Sequence, residues 1–124
     1  MASPPKRHIL CVDDSSDSCD LLRFVLNQDG YEVQTAQTIA DGLHLAKSNQ
    51  FDLYILDVTF PNGTGFDLCR QIRAFDPSTP VVFCSADVRE ATQHQAIEAG
   101  AQAFLMKPLD LSQFAETIAR FLQP

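Results

Sequence analysis

An acidic pair (Asp13-Asp14), a third aspartate (Asp57), a hydroxyl (Ser85) and an ammonium (Lys107) each follow directly on a short apolar run of this chain. Taken singly, each has an ordinary explanation: aspartate suits helix caps and turns, and Lys107-Pro108 suits a loop. Taken together they form a reactive set. Two like charges about 4 Å apart repel by roughly 4 kcal/mol at an effective dielectric near 20, so clustered carboxylates need a counter-charge. A hard divalent cation supplies it. Mg2+ typically takes one or two carboxylates, keeps several waters and leaves room for a phosphoryl oxygen. Lys107 adds a point charge, and Ser85 can donate a hydrogen bond to such an oxygen. The set fits one reaction, attack of a carboxylate on phosphorus to give an aspartyl phosphate, with metal and lysine stabilising the transferring group.

Those residues meet only if the elements before them lie side by side. Apolar runs at 8–12, 53–56 and 81–84 are nearly continuous, as in strands covered on both faces. The run at 31–35 alternates and reads as an edge strand, and 103–106 is a fifth strand. Segments of helical length separate them. Leu22, Val25 and Leu26 mark the first helix, which Gly30 stops; Ile39, Leu43 and Ala46 mark the second, after Thr38 as N-cap. Phe66, Cys69 and Ile72 mark the third, capped by Thr64 and stopped before Asp76-Pro77. The fourth, Arg89 to Ala99, is poor in large apolar residues and closes at Gly100. The fifth starts at Asp110, with Gln113 three residues on, and buries Phe114, Ile118 and Phe121. Alternating β and α elements imply a doubly wound α/β fold: a parallel sheet with right-handed crossovers and helices on both faces. Such sheets bind ligands beyond the carboxyl ends of their strands, where the acidic residues, Ser85 and Lys107 fall.

The 124 residues suffice for one domain and are too few for two. Nine basic against sixteen acidic side chains leave a net charge of −7, which argues against binding a phosphate backbone and favours cations or basic surfaces as partners. No apolar run approaches the roughly 18 residues of a membrane span, and Met1 to His8 holds no apolar signal segment, so a cytoplasmic protein is expected. Cys11, Cys19, Cys69 and Cys84 form no CxxC pair and have no histidine at zinc-ligand spacing. Cys11 and Cys84 lie in apolar runs and read as core. His8, His44 and His94 are scattered and read as surface or edge residues.

The ordered set of Asp13-Asp14, Asp57, Pro61, Gly65, Ser85-Ala86, Phe104 and Lys107-Pro108 resembles the receiver domain of two-component response regulators, from about Arg7 to Leu122. The resemblance implies a flavodoxin-like (βα)5 fold with strand order 2-1-3-4-5. It implies that Asp57 is the phosphoacceptor and that Asp14 binds Mg2+ directly, with Asp13 acting through a metal-bound water. The backbone carbonyl of Thr59 and Asp57 itself complete the implied metal ligands. Ser85 matches the switch hydroxyl, Phe104 the switch aromatic and Lys107 the family's lysine, with a cis Lys107-Pro108 bond. Departures from the commoner pattern are mild: Phe104 stands where Tyr is frequent and Phe60 where Met is. Thr59 and Asp87 occupy the two variable positions that tune phosphoryl lifetime in this family, and Asp87 is expected to add negative charge beside the site.

The resemblance also implies partners. A sensor histidine kinase or a histidine phosphotransfer protein donates the phosphoryl group. A downstream protein reads the face made by the fourth helix, fifth strand and fifth helix, and a phosphorylation-dependent dimer is a further expectation. Neither nucleic-acid nor membrane contact is expected, and no output domain is expected within these 124 residues. Two other readings stay open. One is a phosphatase using Asp57 as a transient nucleophile, against which Thr59 stands where a second aspartate is needed as general acid. The other is an interaction module that keeps the fold and works without phosphorylation.

Overall fold

The computed structural model describes residues 6–123, so the reading of Met1 to His8 falls mostly outside the described residues. The first half of the chain runs β1 (His8–Val12), α1 (Ser16–Gln28), β2 (Glu32–Ala36), α2 (Ile39–Ser48) and β3 (Leu53–Leu56). A two-stranded hairpin follows, β4 (Thr59–Phe60) and β5 (Gly63–Thr64), leading into α3 (Gly65–Phe75). The rest is β6 (Val81–Ser85), α4 (Glu90–Ala99), β7 (Ala103–Met106) and α5 (Leu111–Leu122).

Five strands form one parallel sheet in the order β2-β1-β3-β6-β7. Without the hairpin this is the 2-1-3-4-5 order expected. The three central strands are buried almost throughout, which is why their sequences are unbroken hydrophobe. Alternate residues enter opposite layers. Leu10, Val12, Leu56 and Phe83 join Ala46 of α2, Leu68 and Ile72 of α3 and Ala96 of α4. Ile9, Cys11, Ile55 and Val82 join Leu22 and Leu26 of α1 and Phe114 and Ile118 of α5. All four cysteines are buried and free.

Helix entries follow the polar residues before them. Ser15, Thr38, Thr64 and Asp110 accept backbone N–H bonds from Ser18, Asp41, Asp67 and Gln113. Helix α4 differs, because its N-cap Arg89 makes no side-chain cap bond. It ends at Gly100, whose φ of 108° is left-handed backbone that glycine adopts without strain. At that end Arg73 of α3 ties three segments together: its guanidinium donates to Gly100 O, Asp76 O, Thr79 O and Gln102 Oε1. No helix of the described residues is long and apolar enough to cross a membrane.

The hairpin is the one element absent from the sequence reading, which names single residues of this stretch but no strand. Strands of two residues have no alternation to detect. The pair turns the chain sharply between β3 and α3, and Gly65 N–H closes it on Val58 O at 2.7 Å.

Candidate functional site

Asp13, Asp57 and Lys107 each sit one residue past the end of a strand of the sheet, and the backbone ladder continues one step to hold them. Asp13 N–H donates to Ala36 O, Asp57 N–H to Val12 O and Lys107 N–H to Ser85 O, at 3.0, 3.0 and 2.9 Å. The carboxyl ends of β1, β3 and β7 thereby become a common rim. On it, one carboxylate oxygen each of Asp13, Asp14 and Asp57 lie within 4.8 Å of one another. Asp13 is buried, Asp57 partly buried and Asp14 exposed.

Lys107 Nζ donates to Asp13 Oδ2 at 2.7 Å and to Asp57 Oδ2 at 3.4 Å. Backbone donors hold the other oxygens: Ser15 N–H on Asp13 Oδ1 at 2.9 Å and Val58 N–H on Asp57 Oδ1 at 2.7 Å. Burial pushes the Asp57 carboxyl above the usual carboxylate range; the nearby Asp13 charge adds to this, while Lys107 and the Val58 N–H oppose it. Burial alone would depress the Lys107 ammonium, but its bonds and charge contacts with Asp13 and Asp57 outweigh that and raise it. The pocket is therefore short of positive charge, and one lysine compensates it only in part.

The donor set suits Mg2+. In an octahedral shell with bonds of about 2.0–2.1 Å, ligand oxygens lie roughly 3 to 4.2 Å apart. Three carboxylate oxygens within 4.8 Å are close to that spacing already, and all are hard donors. Thr59 is exposed at the start of β4, two residues beyond Asp57.

The two expected switch residues lie on neighbouring strands. Ser85 closes β6 and is 2% exposed. Its Oγ accepts a hydrogen bond from Asp87 N–H at 3.0 Å, so the hydroxyl is engaged by its own loop. Phe104 of β7 is half-buried and packs on the core layer beneath α2, α3 and α4. The Lys107-Pro108 bond is cis. His44 and His94 are exposed, and His8 is at the start of β1 paired with Glu32 at 3.0 Å.

Asp87 needs a correction. The sequence suggested an added negative charge beside the acidic cluster. The structure turns its carboxylate onto Arg89, at 2.9 and 2.7 Å, and onto the Thr92 hydroxyl at 2.8 Å. The Arg89 guanidinium, with Thr92, holds this carboxyl well below the usual carboxylate range. Neither Arg89 nor Thr92 was singled out from sequence. The spacing Asp-x-Arg-x-x-Thr at a helix entry was the available signal.

A family model described as "Response regulator receiver domain" matches residues 9–119. Among curated relatives, the response regulator protein PilR of Pseudomonas aeruginosa is 34% identical over 95% of this chain and 26% of its own length. The response regulator ArlR of Staphylococcus aureus is 31% identical over 93% of this chain and 52% of its own length. The chain thus spans about a quarter to a half of these relatives. Among solved structures, the non-phosphorylated HemR receiver domain of Leptospira biflexa aligns with a TM-score of 0.89 at 34% identity, covering 96% of each chain. Chemotaxis protein CheY4 of Vibrio cholerae aligns at 0.90 and 28% identity, covering 95% of this chain and all of that one. With the fold, the acidic rim and these matches in agreement, the chain belongs to the response regulator receiver domains of two-component signalling.

Proposed function

We propose that Asp57 accepts a phosphoryl group from a phosphohistidine on a sensor kinase or a histidine phosphotransfer protein, and that Mg2+ is the cofactor. The convergence of the Asp13, Asp14 and Asp57 oxygens on one rim, beside Lys107, carries this reading. An Asp57 carboxylate oxygen forms the new O–P bond as the P–N bond to imidazole breaks, and the released imidazole nitrogen regains a proton from solvent. Asp13, Asp14, Asp57 and the Thr59 carbonyl would hold Mg2+, which when bound neutralises charge on the transferring phosphoryl oxygens. Lys107 Nζ, already 3.4 Å from Asp57 Oδ2, moves onto a phosphoryl oxygen and keeps its bond to Asp13.

The phosphoryl group adds about −1.5 to −2 charge, by analogy with other phosphorylated side chains. Ser85 then turns its hydroxyl to that group and Phe104 follows. The differential contact biases a two-state equilibrium of the face built from α4, β7 and α5, which a downstream protein or a second copy reads. The domain signals rather than turning over substrate. Four free, buried thiols and a net charge of −7 support a cytoplasmic protein partner over nucleic acid.

The test is acid-labile phosphate incorporation from acetyl phosphate with Mg2+. The wild-type chain is expected to incorporate it, and Asp57→Asn to lose it. Equal incorporation by both proteins would remove Asp57 from the role.

A further inference from the structure

The β6–α4 loop holds a run of hydrogen bonds that phosphoryl capture by itself does not require. Ser85 Oγ accepts from Asp87 N–H at 3.0 Å. The Asp87 carboxylate then accepts from Arg89 Nε at 2.9 Å, Arg89 Nη2 at 2.7 Å, the Arg89 backbone N–H at 3.1 Å and Thr92 Oγ1 at 2.8 Å. Thr92 lies in the first turn of α4 and is 4% exposed. The other four helices carry an N-cap side chain that bonds their first turn, whereas the N-cap of α4 makes none. Asp87, two residues ahead of that N-cap, ties the first turn in another way, through the Thr92 hydroxyl and the Arg89 backbone N–H. Besides Thr92, α4 buries only Ala96 and Ala99, both small, so polar ties hold its first turn: this one, and Gln93 Nε2 donating to Val88 O at 3.0 Å.

We propose that Asp87, gripped by Arg89 and Thr92, is a positioning residue that latches Ser85 to its own loop and thereby couples capture of the phosphoryl group to release of the first turn of α4. This rests on the reading of Asp57 as phosphoacceptor. The Ser85 hydroxyl accepts the bond from Asp87 and keeps its own hydrogen to give, but its short side chain can hold Oγ in only one place at a time. Swinging Oγ toward Asp57 takes it away from Asp87 N–H. The loop cannot follow freely, because the Asp87 side chain is held at both oxygens. Ser85 therefore reaches the phosphoryl group by leaving a backbone donor unpaired or by opening the Arg89 and Thr92 contacts. Either way the latch favours the unphosphorylated arrangement, and weakening it shifts the equilibrium toward the captured one.

The probe is beryllofluoride, which stands in for the phosphoryl group, titrated in saturating Mg2+ and followed by calorimetry and amide spectra. Arg89→Ala is the primary variant, because the Arg89 side chain is 79% exposed and its loss leaves the core intact. Thr92→Val removes the second contact, and Thr92→Ser restores it. Arg89→Ala and Thr92→Val are each expected to tighten apparent beryllofluoride binding about two- to fivefold, the range for releasing an exposed ion pair or an ordinary hydrogen bond. Mg2+ affinity stays at the wild-type value and Thr92→Ser behaves as wild type. A purely structural role would leave beryllofluoride binding unchanged or weaken it, and either result for Arg89→Ala overturns the latch. A wild-type chain that binds Mg2+ but not beryllofluoride overturns the phosphoacceptor reading itself, which separates the two failures.

Discussion

Gly65→Ala is the sharpest test of how the fold positions Asp57. Gly65 opens α3, and its N–H donates to Val58 O at 2.7 Å, so the turn after β3 is drawn tightly against the helix start. A Cβ added there would lie 1.9 Å from the Asp57 carbonyl oxygen, 3.0 Å from the Asp57 carbonyl carbon and 3.0 Å from Phe83 Cε1. Backbone must yield, by about 1 Å, to reach the 3.0 Å below which real Cβ atoms are essentially never found. Helix propensity pulls the other way, since Ala is favoured over Gly by about 1 kcal/mol in a helix interior and by less at a first position. Overpacking costs about 1–3 kcal/mol, so the clash wins and the net loss is about 1–2 kcal/mol. With a urea slope of about 1–3 kcal/mol/M, the unfolding midpoint falls by roughly 1 M. The displaced residue is the proposed phosphoacceptor, and a misplacement of about 1 Å can slow a reaction about 100-fold. Urea denaturation and the rate of incorporation from acetyl phosphate are the two assays. A Gly65→Ala protein as stable as wild type and equally fast to incorporate phosphate would refute the close approach and the positioning drawn from it.

Lys107→Met should unfold about 1–3 kcal/mol more easily in EDTA, since it leaves the buried Asp13 carboxylate without its donor, yet bind Mg2+ more tightly for want of a competing cation; weaker Mg2+ binding by calorimetry would contradict this. Asp76 predicts a feature of the acid limb. Burial works to raise its carboxyl, but bonds from Thr79, Tyr54 and Ser78 outweigh that and hold it below the usual range. A lowered carboxyl stabilises above its ordinary value and loses that contribution as pH falls through the folded one. The stability gap between wild type and Asp76→Asn should therefore shrink below about pH 4, and a gap that widens on acidification in urea titrations would reverse the sign. Burial raises all four thiols, Cys84 to about 12, so native protein at pH 8 should react with a disulfide reagent only as fast as it unfolds; rapid reaction of any thiol would show an exposed one.

The central strands could be read from the chain because burial on both faces leaves no polar residue to interrupt them, as in Leu53–Leu56. The caps at Thr38, Thr64 and Asp110 were equally plain, since a side-chain oxygen three residues before a free N–H is a local matter. The meeting of Asp13, Asp14, Asp57 and Lys107 required only the rule that parallel strands end on one side. What stayed hidden was set by geometry at short range. The β4–β5 hairpin is too brief to have a period. The direction of the Asp87 side chain was decided by a guanidinium two residues on and a hydroxyl five residues on, neither of which announces its rotamer in sequence. Ser85 was recognisable by position, but not as the acceptor of a bond from its own loop.

Arg73 gives α4 unequal ends. Its guanidinium grips the carbonyl of Gly100, where the helix stops, while the opposite end depends on a loop carboxylate. A rod fastened at one tip pivots there. Ten residues make a lever about 15 Å long, so a tilt of about 10° sweeps the Glu90 end through roughly 2.5 Å while Ala99 barely stirs. Spin labels at the two ends would report that asymmetry as unequal distance changes on adding beryllofluoride, and equal displacements would mean that the whole helix slides.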